Sequence, residues 1–194
     1  MKNYLNMILK KAIMQDIFAF ALKSLYLMLP AYFANMAPVI VKHINFLDYP
    51  VDFNRKLGGK PIFGKHKTFR GFIFGIIFAI AVTYAQYRLM ELDSIRNISI
   101  LDYGQWLLIG FLMGFGALFG DLIKSFFKRR IGIDPGNKFI PFDQTDFVLG
   151  ALVFTMLFFR LSWQVFVSSV ILSLALHIIV NHIAYWLKIR NEAW

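Results

Sequence analysis

The stretch WLLIGFLMGFGALFGDLIKSFFKR, residues Trp106 to Arg129, decides how this chain folds. No charged residue occurs between Trp106 and Gly120, and acids and bases follow immediately. With its polar end, this run is long enough to cross the hydrocarbon core of a bilayer as a helix. A carboxylate at membrane depth, here Asp121, is a functional candidate because burying an acid in lipid is costly. The stretch predicts a membrane helix that ends in a polar site.

Four more apolar stretches indicate further helices on either side of this one. They cover residues 17–41, 72–87, 147–159 and 163–187. The stretch at 147–159 is shorter than a span, so its helix should begin nearer residue 142. We predict an all-α integral membrane protein with about five transmembrane helices, forming one catalytic domain over residues 1–194. Residues 1–16 should form an interfacial helix that leads into the first span, and Pro30 and Pro38 should break that span.

Composition and charge narrow the class of protein. The chain is 58% hydrophobic, whereas soluble domains are about 45–50% apolar. It has no cysteine, which excludes disulfides and thiolate metal sites. The net charge of +10 resides in segments that flank membrane helices. The expected partners are therefore membrane lipids and anionic substrates, not nucleic acid. Homo-oligomerisation stays open.

Lysine and arginine also predict orientation. The segments 42–70 and 124–145 and the C-terminus carry fourteen of them, and the opposite side carries six. The positive-inside rule places the two segments in the cytoplasm as loops, with the C-terminus inside and the N-terminus outside. Pairs of glycines four residues apart, such as Gly116 and Gly120, indicate close helix packing.

Two constellations of acids and bases flank the loop at 124–145. Asp121, Ser125 and Lys128 have i, i+4, i+7 spacing and share one helix face, with Lys124 beside it. Asp143 and Asp146 share a face of the next helix. Connectivity brings all three acids to one membrane depth, and hard carboxylate oxygens suit Mg²⁺. The basic residues alone are equally consistent with lysines at a helix end that reach towards the membrane surface.

A third constellation lies in the loop at 42–70. The sequence GGKPIFGKHKTFRG, residues 58–71, combines glycines with five bases and leads into a helix N-terminus. It could hold phosphate through backbone N–H groups and through Lys60, Lys67 and Arg70. Binding of anionic lipid is an equal alternative. On the first span, Asn35 beside a break would line a polar pocket.

Taken together, these motifs resemble the CDP-archaeol synthase family. The pattern GDxxKSxxKR begins at Gly120, PxDQxD begins at Pro141, and GKPxxGxxKTxRG begins at Gly59. The resemblance covers most of the chain. It extends to phosphatidate cytidylyltransferases, from which the chain departs by Gln144, by a missing His-Gly-Gly and by a shorter loop.

The resemblance implies that CMP passes from CTP to 2,3-di-O-geranylgeranylglyceryl phosphate, a geranylgeranyl ether lipid phosphate. The products would be unsaturated CDP-archaeol and pyrophosphate. One or two Mg²⁺ ions would be held by Asp121, Asp143 and Asp146, which with Lys128 form the expected catalytic set. The expected substrate-binding residues are Lys60, Lys67, Thr68, Arg70, Ser125, Arg129, Lys138, Gln144 and Asn35. The alternatives are a phosphatidate cytidylyltransferase and a non-enzymatic anion transporter or lipid-binding membrane protein.

Overall fold

The protein folds into a bundle of long helices with a small β-ribbon at one end. The structure is a computed structural model and describes residues 2–135 and 137–188. Its elements are α1 (Lys2–Ile40), β1 (Lys56–Leu57), β2 (Lys60–Pro61), α2 (Phe69–Leu89), α3 (Asp93–Ile98), a 3₁₀ turn (Tyr103–Gln105), α4 (Trp106–Arg130), α5 (Phe142–Met156) and α6 (Trp163–Trp186). The predicted all-α membrane architecture is confirmed, with the ribbon as an addition.

Helix α4 is at the centre of the bundle. It packs against α2 on one side and α5 on the other, while α1 crosses α2 and α4. Helix α6 contacts α1 and α5 at the periphery. The shared core contains fully buried Leu27, Ile109, Met113 and Leu152. Burial of these side chains holds the helices together. The outer surface of the bundle is apolar as well, because isoleucines and phenylalanines of α2, α5 and α6 are exposed there.

Four helices are long and apolar enough to cross a membrane: Lys10–Ile40, Phe69–Leu89, Tyr103–Arg130 and Trp163–Ile183. The fifth, α5, has 15 residues. It nevertheless runs back along α4, because Gly116 of α4 faces Gly150 of α5 while Gly120 faces Asp146. This pairing makes α4 and α5 antiparallel. The count of about five spans is thus consistent with four long helices and one short one.

One sequence prediction about α1 is wrong. Pro30 and Pro38 lie inside this helix, which runs without interruption for 39 residues, and they do not break it. Residues 2–16 belong to the same helix and lead into the first span, and their interfacial position stays a prediction. Pro30 is buried, and the Pro38 ring packs against α2 beside Gly71. Tertiary packing here compensates for the backbone hydrogen bonds that proline cannot make.

The predicted loop at 124–145 is also shorter than expected. Helix α4 continues to Arg130 and α5 begins at Phe142, so only residues 131–141 connect them. In the loop after α1, β1 and β2 form a hairpin whose turn glycines, Gly58 and Gly59, both have positive φ. Such a two-residue turn requires this conformation, which glycine adopts without strain. Of the predicted C-terminal bases, Arg190 lies outside the described residues.

Candidate active site

The site lies where α4 and α5 approach each other most closely. A Cβ added at Gly116 would lie 2.5 Å from the carbonyl oxygen of Gly150, and one at Gly120 would overlap the carbonyl of Asp146. Only glycine therefore permits this backbone contact. The contact brings the first turn of α5, with its two acids, beside the last turns of α4. We call this the polar end of the bundle.

Three carboxylates converge on one ammonium group at the polar end. Lys124 Nζ lies 3.0 Å from Asp121 Oδ1, 3.1 Å from Asp143 Oδ1 and 2.7 Å from Asp146 Oδ2. Asp121 also pairs with Lys67, which arrives from the loop before α2. Two of the three acids, Asp121 and Asp146, are largely buried. The three acids thus lie together, as their spacing predicts, and their common depth in the membrane stays a prediction.

Asp143 also fastens the 131–141 loop to α4. Its carboxylate accepts hydrogen bonds from Lys128 Nζ at 3.0 and 3.1 Å and from the Phe139 backbone N–H at 2.6 Å. Lys128 donates a further hydrogen bond to the carbonyl of Asn137 at 2.5 Å. The loop is therefore held through two charged side chains, and a change at Asp143 would disturb its path as well as the charge of the site.

A polar cavity of about 230 Å³ opens beside these acids. Its wall is mostly basic and hydroxyl-bearing, and it would attract an anion. The lining residues are Phe63, Gly64, His66, Lys67, Lys124, Ser125, Lys128, Arg129 and Pro135. A smaller cavity of about 40 Å³ adjoins Lys67 and Asp121 and includes Thr68 in its wall.

An apolar groove of about 650 Å³ lies on the other face of the α4–α5 pair. Phenylalanine, isoleucine, leucine and valine side chains form most of its wall, with Phe119, Phe142 and Phe154 among them. Lys124 and Asp146 are in its wall at the polar end. Among the described lining residues, Lys124 alone belongs to both the polar cavity and the apolar groove.

Asp52 shapes the loop that delivers Lys67. Its carboxylate accepts hydrogen bonds from the backbone N–H groups of Asn54, Phe63 and Gly64 at 2.9–3.0 Å. Burial alone would raise the pKa of Asp52, but these hydrogen bonds outweigh it and hold the pKa below its usual value. Strand-like pairing between Val51 and Lys67, 2.7 Å from N to O, continues the loop into α2.

The three acids of the polar end are candidate ligands for Mg²⁺. Three carboxylates offer the hard oxygen ligands that this ion prefers. Within residues 2–135 and 137–188, however, no group of three or more His, Cys, Asp or Glu side chains is arranged to hold a metal ion as it stands. The Lys124 ammonium occupies the centre. The residues fit the ion chemically, provided that Lys124 moves away from the centre.

The structure brings seven of the predicted site residues together: Asp121, Asp143, Asp146, Lys67, Ser125, Lys128 and Arg129. The others lie apart or serve the local fold. Thr68 accepts a hydrogen bond from Gly71 N–H as the N-cap of α2, and Arg70 pairs with Asp48 at 2.8 Å.

Four predicted substrate contacts lie outside the walls of the described cavities. Lys60 is exposed in β2, Lys138 is exposed in the connecting loop, and Asn35 is exposed on α1. Gln144 is buried in the first turn of α5, where its Oε1 has no hydrogen-bond partner in the part of the chain that the structure describes. Roles for these four in substrate binding stay predictions.

Lys124, noted in the sequence only as lying beside the predicted face, was not among the predicted site residues. Its spacing carried a usable signal, because it lies three residues after Asp121 and four before Lys128. His66 was missed as well, although it contributes to the walls of both polar cavities.

Comparisons of sequence and of fold identify relatives of this chain. The model of the family CarS-like: CDP-archaeol synthase matches residues 14–194. A CDP-archaeol synthase of Archaeoglobus fulgidus is 36% identical over 179 residues, covering 89% of this chain and 97% of that protein. One of Staphylothermus marinus is 38% identical over 83% of this chain and 86% of its own.

A solved structure, described as an intramembrane enzyme for archaeal membrane lipids biosynthesis, superimposes with a TM-score of 0.61 at 30% identity. The match covers 80% of this chain and 90% of that one. Sequence and fold thus point the same way over most of the molecule. The chain belongs to the CarS-like family of CDP-archaeol synthases.

Proposed function

We propose that this chain transfers CMP from CTP to 2,3-di-O-geranylgeranylglyceryl phosphate, giving unsaturated CDP-archaeol and pyrophosphate. Family membership makes it a cytidylyltransferase of archaeal lipid biosynthesis and favours this activity over a phosphatidate enzyme or a transporter. The observation that carries the proposal is the junction of a basic cavity with an apolar groove at Lys124. A water-soluble nucleotide and a lipid phosphate can meet there without either leaving its own medium.

The two cavities divide the substrates by polarity. The basic cavity would take the phosphates of CTP, with Lys67, Lys128 and Arg129 neutralising their charge and Ser125 donating a hydrogen bond. The apolar groove would take the portion of the prenyl chains next to the glycerol, since its wall offers little else than hydrocarbon and aromatic surface. The acceptor phosphate would then lie at the junction.

Positioning and charge neutralisation account for the chemistry. A phosphate monoester has a second pKa of about 6, so its dianion is available near neutral pH without a strong general base. A lipid phosphate oxygen attacks the α-phosphorus of CTP, a new P–O bond forms, and the bond from the α-phosphorus to the bridging oxygen breaks. Pyrophosphate leaves with that electron pair. The side chains contribute by orienting both phosphates and by balancing the charge that develops.

Asp121, Asp143 and Asp146 would hold one or two Mg²⁺ ions. The ion would supply charge neutralisation and polarise a phosphoryl oxygen when bound. Support comes from the convergence of three carboxylates on the Lys124 ammonium, each with an oxygen within 3.1 Å of Nζ. Lys128, which already contacts Asp143, would keep that acid oriented while it faces the nucleotide.

We place this reaction at the cytoplasmic face of a multi-pass membrane protein. Several apolar helices support membrane insertion, and the excess of lysine and arginine at the polar end supports the orientation. The N-terminus would lie outside and the C-terminus inside. This orientation gives the site access to cytoplasmic CTP.

The test uses purified protein with CTP, Mg²⁺ and either a geranylgeranyl-ether or a diacyl glycerophosphate, and detects the CDP-lipid by mass spectrometry. We expect the ether product, and we expect its loss with EDTA and in Asp143→Asn. The matched control is Asp93→Asn, an exposed acid of α3 that pairs only with Arg96 among the described residues. Near-normal turnover in Asp143→Asn would refute the metal-binding role of Asp143.

Two further outcomes distinguish the alternatives. A diacyl product without an ether product would support the proposed cytidylyl transfer and refute the proposed ether-lipid acceptor. Folded protein that forms neither product, and that takes up a labelled anion into liposomes without CTP, would indicate a transporter and refute the proposed enzymatic activity.

A further inference from the structure

The centre of the acid cluster is filled by a side chain of the protein itself. Lys124 Nζ contacts all three acids between 2.7 and 3.1 Å. Lys67 and Lys128 add one pairing each at the edges, to Asp121 and to Asp143. Three lysines thus balance three carboxylates, and the cluster is electrically neutral before any substrate or ion binds.

Among the three acids, Asp146 is the one whose ion-paired oxygen lacks a directed hydrogen bond from any described residue. Asp146 Oδ2 lies 2.7 Å from the Lys124 ammonium, but it is buried and has no directed hydrogen bond among the described residues. Asp146 therefore interacts with Lys124 through a short, buried charge contact.

The Lys124 side chain can also reach a second position, at the junction of the two cavities. Its side chain is part of the wall of both the basic cavity and the apolar groove, so its stem spans the junction where the acceptor phosphate would lie. The ammonium is compact and its four-carbon stem is flexible. A rotation of the stem can exchange carboxylate partners for a phosphate without movement of the backbone.

We propose that Lys124 holds the position of the divalent cation in the substrate-free protein, and that cation binding at the three acids redirects its ammonium to the acceptor phosphate. This inference rests on the proposed function. Its physical basis is charge balance: a doubly charged ion among the acids leaves the cluster positive, so Lys124 is repelled from the centre and attracted to an incoming anion. The same lysine thereby couples loading of the ion to binding of the lipid phosphate.

The first test measures Mn²⁺ binding by electron paramagnetic resonance, with Mn²⁺ alone as the probe and no CTP or lipid. Lys124→Gln removes the competing charge and should bind Mn²⁺ about tenfold more tightly than wild type, or more. Lys124→Arg should restore competition. Lys65→Gln removes the same charge from an exposed position in the loop before α2 and should leave binding unchanged.

The outcomes separate this inference from the proposed function. Equal Mn²⁺ affinity in Lys124→Gln and wild type would overturn the role of Lys124 and leave the metal centre standing. Absence of Mn²⁺ binding from every variant would overturn both the inference and the metal centre, while the CDP-lipid assay would still decide the reaction.

A second measurement needs no variant and stays decisive if Lys124→Gln does not fold. Wild-type protein is labelled with acetic anhydride with and without Mg²⁺, and each lysine is quantified by mass spectrometry. Lys124 is only 13% exposed and engaged by acids, so we expect its labelling to rise severalfold with Mg²⁺ while that of Lys65 stays constant. Unchanged or lower labelling of Lys124 would refute its displacement.

Discussion

Replacing Gly120 by alanine tests whether the close approach of α4 and α5 builds the site. A Cβ at this position would overlap the carbonyl of Asp146 and lie 3.2 Å from the Gly150 Cα. Both neighbours are backbone, so no side-chain rotation relieves the overlap and the helices must separate. Overpacking of this kind costs about 1–3 kcal/mol of stability. Displacing Asp146 by about 1 Å should lower turnover about 100-fold.

Two other glycines provide controls for this experiment. A Cβ at Gly110 would lie 2.6 Å from the Ile80 Cα, at the α2–α4 contact away from the acids. Gly110→Ala should therefore lower stability similarly but retain most turnover. At Gly104 the nearest atom would be 3.4 Å away, so Gly104→Ala should be tolerated.

The assay combines the apparent Tm in detergent with the specific activity of the monodisperse fraction. Gly120→Ala should lower both the apparent Tm and the specific activity. Gly110→Ala should lower mainly the apparent Tm. Full turnover in Gly120→Ala, or equal activity losses in the two variants, would refute the argument that this helix contact sets the geometry of the site.

Three further predictions concern residues around the site. Lys67→Ala should raise the apparent KM for CTP about tenfold, because a charged phosphate contact is lost; unchanged apparent affinity for both substrates would remove Lys67 from the phosphate site. Asp52 has a lowered pKa, so its carboxylate should stabilise the fold above its unfolded pKa of about 4 and lose this effect as the pH falls through the lower folded value. The apparent Tm of wild type should thus exceed that of Asp52→Asn by a constant margin above about pH 5, and the margin should shrink below about pH 4; a margin that grows in acid contradicts this. Arg130 donates hydrogen bonds to the carbonyls of Leu57, Lys60 and Pro61, so Arg130→Gln should speed tryptic cleavage within the hairpin, and equal rates would exclude this docking role.

Hydropathy and spacing were sufficient to predict the five apolar helices and the gathering of the acids, although not the short helix α3. Asp143 and Asp146 are three residues apart on one helix, and a short connection to α4 leaves them no other place than beside Asp121. The position of Lys124 could not be predicted in this way. Whether its ammonium turns towards the acids or towards the membrane surface depends on how closely α4 and α5 cross, which the glycine contacts determine.

The errors have equally specific causes. Pro38 indicated a break, but its ring packs on α2 beside Gly71 and the helix continues. The local rule was overridden there by a partner distant in sequence. Arg70 matched a phosphate-binding pattern, and it is buried against Asp48 and holds the preceding loop. Its role in substrate binding stays a prediction. The hairpin had a visible signal in Gly58-Gly59, but strands of two residues are too short for a periodic pattern.

The short helix α5 has a consequence for the surrounding bilayer. Its 15 residues rise about 22 Å, whereas the hydrocarbon core is about 30 Å thick. The bilayer next to α5 can match this length by thinning locally, which costs only a fraction of a kcal/mol per ångström of mismatch. The resulting dimple would lower nearby head groups towards the α4–α5 groove. Local thinning of the membrane would then help to bring a lipid phosphate to the site, and turnover should vary with bilayer thickness.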